Sequence, residues 1–138
     1  MSFNGIVSAA VIRFPYLWAN EAQRGETEGR KSRPVAVGVR MAKPEGDDVL
    51  LLFPITRKAP ERGRFAVEIP ETEKRRAGLD GDMRLWIILN EYNLDIVGRS
   101  FYFEPEPPLG RFSKAFFLPV MREFIARRSR TRGVNRNR

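Results

Sequence analysis

Three residues in the first half of the chain have types and positions suited to chemistry on a phosphate. Arg33 ends the charged, glycine-containing loop EGRKSR and is followed by Pro34 and the apolar run VAVGV. Proline has no N–H to donate and a fixed φ, so it suits the first residue of a strand. An arginine just before it is held at the boundary between loop and sheet. Its guanidinium is a planar fork of donors that matches phosphate oxygens and can stabilise charge developing on a pentacoordinate phosphorus. Thr56 closes a second apolar run, VLLLFPIT (49–56), ahead of Arg57-Lys58, and its hydroxyl can give or accept a hydrogen bond. Glu28, in the same loop as Arg33, can orient the guanidinium or take a proton from an attacking hydroxyl. Each also has a plainer role: a solvated charge for Arg33, a strand-favouring β-branched residue for Thr56, a surface ion pair for Glu28.

Around these residues lie cations and aromatics of the kind that hold single-stranded nucleic acid. Arg30 and Lys31 in the first loop, and Arg57, Lys58 and Arg62 in the loop 57–64, can track a phosphate backbone, as can the basic stretch 74–76. Trp18, beside the polar loop, is the better candidate for stacking on an unpaired base; Trp86 lies within MRLWIILN and reads as core. The aspartates at 47–48 and at 80 and 82 fall in glycine-bearing turn segments, and turn formation accounts for them.

Composition narrows the chemistry further. With 138 residues, 42% of them apolar, the chain fits one domain with a real core. It has no cysteine and no histidine, which excludes disulfides, thiolate chemistry, Ser-His-Asp triads and the common zinc sites. The net charge of +8 favours a polyanionic partner. Six arginines in the last twelve residues, RRSRTRGVNRNR, supply most of it. The reading is therefore one domain over 1–126 and a basic, disordered tail over 127–138, solvated or weakly RNA-binding. No apolar run approaches the ~20 residues of a membrane span, and MSFNGIVSAAVIRF makes a poor signal peptide. No membrane partner and a cytoplasmic location are the expectation.

The elements needed to position these residues follow from pattern. Strands are expected at 11–18 (interrupted at Pro15), 34–41, 49–56 and 64–70, then at 83–90 and within 91–103. The run 49–56 is apolar on both faces and reads as central. Residues 19–33 read as a long polar loop, 71–82 holds a helical turn, and a helix starts near Ser113, a suitable N-cap. Its apolar stripe is expected at Ala115, Phe116, Val120 and Phe124, with Pro119 kinking or interrupting it. The set fits a small, curved, mostly antiparallel β-barrel with a C-terminal helix.

The ordered set of EGRKSRPVAVGV, VLLLFPIT with its basic loop, and FAVEIP followed by AGLDGDMRLWIILNEYN resembles the PemK/MazF family of toxins from toxin–antitoxin pairs. LGRFS, before the last helix, is similar to a Leu-Gly segment of that family. The resemblance runs over residues 11–90, with weaker support to about 125. It implies an SH3-like barrel, a homodimer, and a growth-inhibiting endoribonuclease that cuts single-stranded mRNA without metal or cofactor, restrained by a cognate antitoxin protein. Arg33 matches the family's catalytic arginine, Thr56 its catalytic hydroxyl and Glu28 its loop glutamate. Asn90-Glu91 stands where many members carry Asp-Gln. Two non-enzymatic alternatives use the same residues differently: a CcdB-like binder of DNA gyrase, and an RNA-binding module in which the tail does most of the binding.

Overall fold

The run that reads as central in sequence becomes the strand on which the sheet is built. In the computed structural model, which describes residues 5–27, 31–43, 46–97 and 107–136, β3 (Gly46–Thr56) has neighbours on both edges. β2 (Arg33–Lys43) runs antiparallel along one edge, from Val35↔Pro54 to Lys43↔Gly46. The other edge is shared. β6 (Glu91–Ile96) covers Val49 to Leu52, and β5 (Trp86–Ile88) covers Ile55 and Thr56. Pro54 lies at the handover, where that ladder is already interrupted and a missing N–H does least harm. Opposite Phe53 and Pro54 stand the five residues 88–92. This excess is a bulge, and it carries Asn90 and Glu91.

β1 (Ala10–Phe14) lies antiparallel to β2, and β7 (Gly110–Arg111) to β1. β4 (Ala66–Glu68) adds to β5. β8 (Arg132–Asn135) runs parallel to β6. The path β4-β5-β3-β2-β1-β7, with β6 and β8 branching from β3, gives a mainly antiparallel eight-stranded sheet. Among the described residues no ladder closes it into a barrel. None of the described helices is long and apolar enough to cross a membrane.

Side-chain alternation along β3 explains why it is apolar from Val49 to Ile55. Phe53 and Ile55 face a core with Val11, Ala36, Ile87 and Leu89. Leu50 and Leu52 face a second core with Val35, Val37, Ile12, Phe14 and Tyr16. The first core is covered by α3 (Lys114–Arg127), which buries Phe117, Val120, Met121 and Phe124. Phe124 meets Phe53 edge to face at 4.7 Å, a favoured aromatic geometry. Ser113 caps this helix by accepting from the Phe116 N–H, as its sequence suggests.

The structure differs from the sequence reading in several places. The buried stripe of α3 is shifted: Ala115 is exposed, and Phe117 and Met121 join Val120 and Phe124 in the core. The helix runs through Pro119 as one element. The bond that proline forfeits is the one to the Ala115 carbonyl, on an exposed face near the first turn. The strand expected over 11–18 ends at Phe14, just before Pro15. The polar segment after Trp18 opens with a short helix, α1 (Ala19–Gln23).

The basic tail holds a 3₁₀ turn (Arg128–Arg130) and then β8, where the sequence reading places disorder. A parallel pairing needs a crossover, usually helical, and α3 provides it between β6 and β8.

α2 (Glu71–Arg76) is tied to the start of α3. Its buried Glu73 accepts from both the backbone N–H and the hydroxyl of Ser113, each at 2.8 Å. Behind α2, Gly78 has φ +71°, and an added Cβ would strike the Leu109 carbonyl. Gly25 has φ +86° with nothing within 4 Å of a Cβ. The two positions separate conformational strain from contact. Gly25→Ala should cost about 1–2 kcal/mol from the left-handed backbone alone, and Gly78→Ala roughly 1–3 kcal/mol more from overpacking. Urea unfolding of the two variants checks the ordering.

Candidate nucleic-acid interface

Pro15 ends β1, and the chain then crosses the end of the second core as Tyr16-Leu17-Trp18. Tyr16 is fully buried and meets the Trp18 ring edge-on at 5.1 Å. The crossing is fixed by two buried polar side chains from the bulge and β6. Glu91 accepts from the Tyr16 hydroxyl and from the Ala19 N–H, both at 2.9 Å. Asn93 forms a two-way amide pair with Leu17, accepting from its N–H at 2.9 Å and donating to its carbonyl at 2.7 Å. Glu21, also buried, accepts from the Trp18 N–H at 3.1 Å and closes the first turn of α1, where a carboxylate also meets the positive end of the helix.

Trp18 thereby becomes a fixed, half-buried platform. The Arg33 guanidinium lies over it at 5.1 Å from the ring centre, and that of Arg64 at 5.6 Å. The two arginines are held differently. Arg64 donates to Glu91 at 2.7 Å and to the Asn90 side chain at 2.9 Å, so its charge is matched. The Nε of Arg33 is buried with no hydrogen-bond partner among the described residues. Burial pulls the Arg33 pKa below the ordinary arginine value, while Glu21 and then Tyr16 pull it back up. A cation in this position is stabilised by an aromatic face rather than by a paired carboxylate.

Beside Trp18 opens a cleft of about 850 Å³. Its walls carry Arg24, Lys58, Arg62, Arg64, Arg130 and Arg132 against the carboxylates of Glu21, Glu61 and Glu91. The cations outnumber the carboxylates, so the cleft lining carries an excess of positive charge. Thr56 lines it from the end of β3, and its Oγ1 accepts the Lys58 N–H at 3.1 Å. That turn leaves the hydroxyl proton available for a ligand. Extending the β2–β3 register past Val35↔Pro54 brings Arg33 opposite Thr56, on the face of the second core.

Trp18, Thr56, Lys58 and Arg62 therefore share one cleft, and Arg33 joins them through Trp18. Lys31 and Arg57 are exposed and line no part of it. Glu28 and Arg30 lie outside the described residues. The turn reading of the 80–82 aspartates fits an Asp80 carboxylate that accepts the Asp82 N–H at 2.9 Å. The sequence reading gave no site role to Glu21 or Glu91, took in Arg64 only as part of the basic loop 57–64, and treated the tail arginines as disordered rather than as part of a cleft wall. Asn90-Glu91 was visible only as a departure from the family pattern.

Burial pushes the Tyr16 pKa well above its ordinary value, helped by the charge and hydrogen bond of Glu91 and opposed by Arg64 and Arg136. The unfolded chain ionises Tyr16 near pH ~10 and the folded chain does not. Above that pH the unfolded state binds fewer protons, so stability falls as pH rises. Tyr16→Phe should remove this share of the alkaline loss and cost about 1–3 kcal/mol at neutral pH, the range for a hydrogen bond to a charged group. Denaturant unfolding between neutral pH and pH ~11 reads both effects.

Comparison with protein-family models, curated proteins and solved structures finds no match. The functional reading therefore rests on the cleft, with its aromatic platform, hydroxyl and basic wall, and on Arg33, which lies over the Trp18 ring beside it.

Proposed function

We propose that the cleft binds single-stranded RNA and that the protein is a metal-independent endoribonuclease of the PemK/MazF kind. The observation that carries this reading is Arg33, whose buried Nε has no partner among the described residues and whose guanidinium lies over Trp18, a wall of the cleft that Thr56 also lines. Unsatisfied buried donors are rare in folded proteins and call for an explanation. A phosphate oxygen supplies one.

In this mechanism a ribose 2′-oxygen attacks the adjacent phosphorus and loses its proton, and the bond to the 5′-oxygen of the next nucleotide breaks. The products are a 2′,3′-cyclic phosphate and a 5′-hydroxyl. Arg33 neutralises the charge that gathers on the phosphorane. Thr56 donates its proton to a non-bridging oxygen. Lys58 and Arg62 hold flanking phosphates. Glu28 is the candidate base on sequence grounds. The same reading carries an SH3-like barrel, a homodimer, and a cognate antitoxin whose acidic segment competes with RNA for the cleft cations.

One observation favours a second reading, an RNA-binding module without cleavage. Glu21 and Glu91, the buried carboxylates of the cleft, are both committed as hydrogen-bond acceptors, so neither is a ready base.

Incubation of mixed RNAs with wild type and Arg33→Ala in EDTA, with end-group mapping, separates the two. Nuclease action gives discrete cuts bearing cyclic phosphate, reduced about 10²–10³-fold in the variant. Binding without cuts by the folded wild type would replace it with the second reading. Thr56→Ala should lower the rate less than Arg33→Ala does, because it removes one neutral donor rather than a charged fork.

A further inference from the structure

We infer that the C-terminal arm, residues 128–136, is a built wall of the cleft, and that Arg130 and Arg132 contact the phosphates of a single-stranded nucleic acid. The inference rests on the cleft being a nucleic-acid site, and adds a specific role for a segment whose composition alone suggests a solvated tail.

Three observations place the arm. β8 pairs with β6 from Glu91↔Arg132 to Leu94↔Asn135, and backbone bonds at both ends extend that pairing: Arg132 N–H to the Asn90 carbonyl at 3.1 Å, Arg136 N–H to the Leu94 carbonyl at 2.7 Å. The arm is buckled at its far end. The buried Arg136 guanidinium donates to the Pro15 carbonyl at 2.6 Å and to the Asn93 side chain at 3.0 Å, and lies over Phe14 at 5.5 Å. These partners belong to the same crossing that positions Trp18. Finally, Arg130 and Arg132 are exposed and line the cleft together with Trp18. An arginine buried at one end and two arginines presented at the other divide the arm between anchoring and binding.

Gly133 shows how closely the arm is seated. A Cβ there would come 2.7 Å from two ring carbons and the hydroxyl of Tyr92. Any larger residue must displace that ring or shift β8 against β6, without changing the charge of the chain. This separates the placement of the arginines from their mere presence. Arg136 is a positioning residue in this scheme.

The test is fluorescence anisotropy of a labelled 2′-O-methyl oligoribonucleotide, which cannot be cleaved, titrated with the full chain over a range of salt. Wild type should bind with a strong salt dependence. Arg130→Ala/Arg132→Ala should weaken binding roughly tenfold and reduce the slope of log K against log[salt] by about 1.4, two phosphate contacts at ~0.7 each. Arg136→Ala and the charge-neutral Gly133→Val should each weaken binding and flatten the slope in the same direction. A purely structural defect lowers the competent fraction and leaves the slope unchanged. Arg111→Ala/Arg122→Ala, removing two exposed arginines from outside the cleft, should stay within about twofold of wild type. Circular dichroism confirms folding of each variant. Wild-type affinity and slope in Gly133→Val and Arg136→Ala would overturn the inference and leave the cleft reading standing. Equal losses in the Arg111/Arg122 control would overturn it as non-specific attraction. Failure of wild type to bind at all would remove the cleft reading and the inference together.

Discussion

The buried carboxylate of Glu91 is the constraint on which the functional end of the molecule depends. A carboxylate that leaves water must regain its hydrogen bonds, or the cost is several kcal/mol. Glu91 regains them from three directions: the Tyr16 hydroxyl, the Ala19 N–H and the Arg64 guanidinium. Each donor belongs to a different segment. Satisfying one side chain therefore fixes the crossing after β1, the entry to α1 and the end of the 57–64 loop relative to β6. Trp18 lies between two of these donors in sequence and has little freedom left. The orientation of Arg33 over its ring follows.

Why this group sits here is a matter of sheet geometry. β3 has one partner along its β2 edge but two along the other, and the exchange leaves more chain on that side than the ladder can use. A bulge at such a point re-aims side chains away from regular alternation. Asn90 and Glu91 come from the bulge, and Thr56 from the strand end beyond it. Pro54 marks the exchange in the sequence, and in a strand paired continuously on both edges it would be out of place. The interruption that makes the sheet irregular is also what opens a cleft at its end.

Much of the frame was legible in the sequence because it is written in short-range patterns. Alternation and β-branching placed β2 and β3, the apolar character of 49–56 made β3 central, and Ser113 marked the start of α3. The network was not legible, because its bonds join residues far apart: Glu91 and Tyr16 are separated by 75 positions, Arg136 and Pro15 by 121. No local periodicity encodes such pairs. β8 was hidden for another reason. RGVN has one apolar side chain and no alternation, so its strand conformation depends on the free edge of β6 and on the anchor at Arg136, not on propensity. α1, at five residues, is too short to show a helical period.

The arginines near this site show how context, rather than residue type, decides what a charge does. Arg64 spends its charge on Glu91 and its planar face on Trp18, so it fixes structure and has little left for a ligand. Arg136 is buried against backbone oxygen, an amide and a phenyl ring, and fastens the arm. Arg33 also has aromatic support, and among the described residues its buried Nε, like that of Arg136, meets no acceptor; what sets it apart is that its guanidinium lies on the Trp18 ring that walls the cleft. Adding a carboxylate partner there would relieve the desolvation that lowers its pKa, but would also cancel the field that an anion would feel. An aromatic face stabilises the cation without neutralising it. Glu21 is close enough to bias Arg33 toward the charged state while it accepts from the Trp18 backbone N–H. Position therefore separates the two incompletely bonded arginines: Arg136 is directed into backbone and amide oxygens that fasten the arm, whereas Arg33 lies on the aromatic wall of the cleft, where its charge can act on an anion.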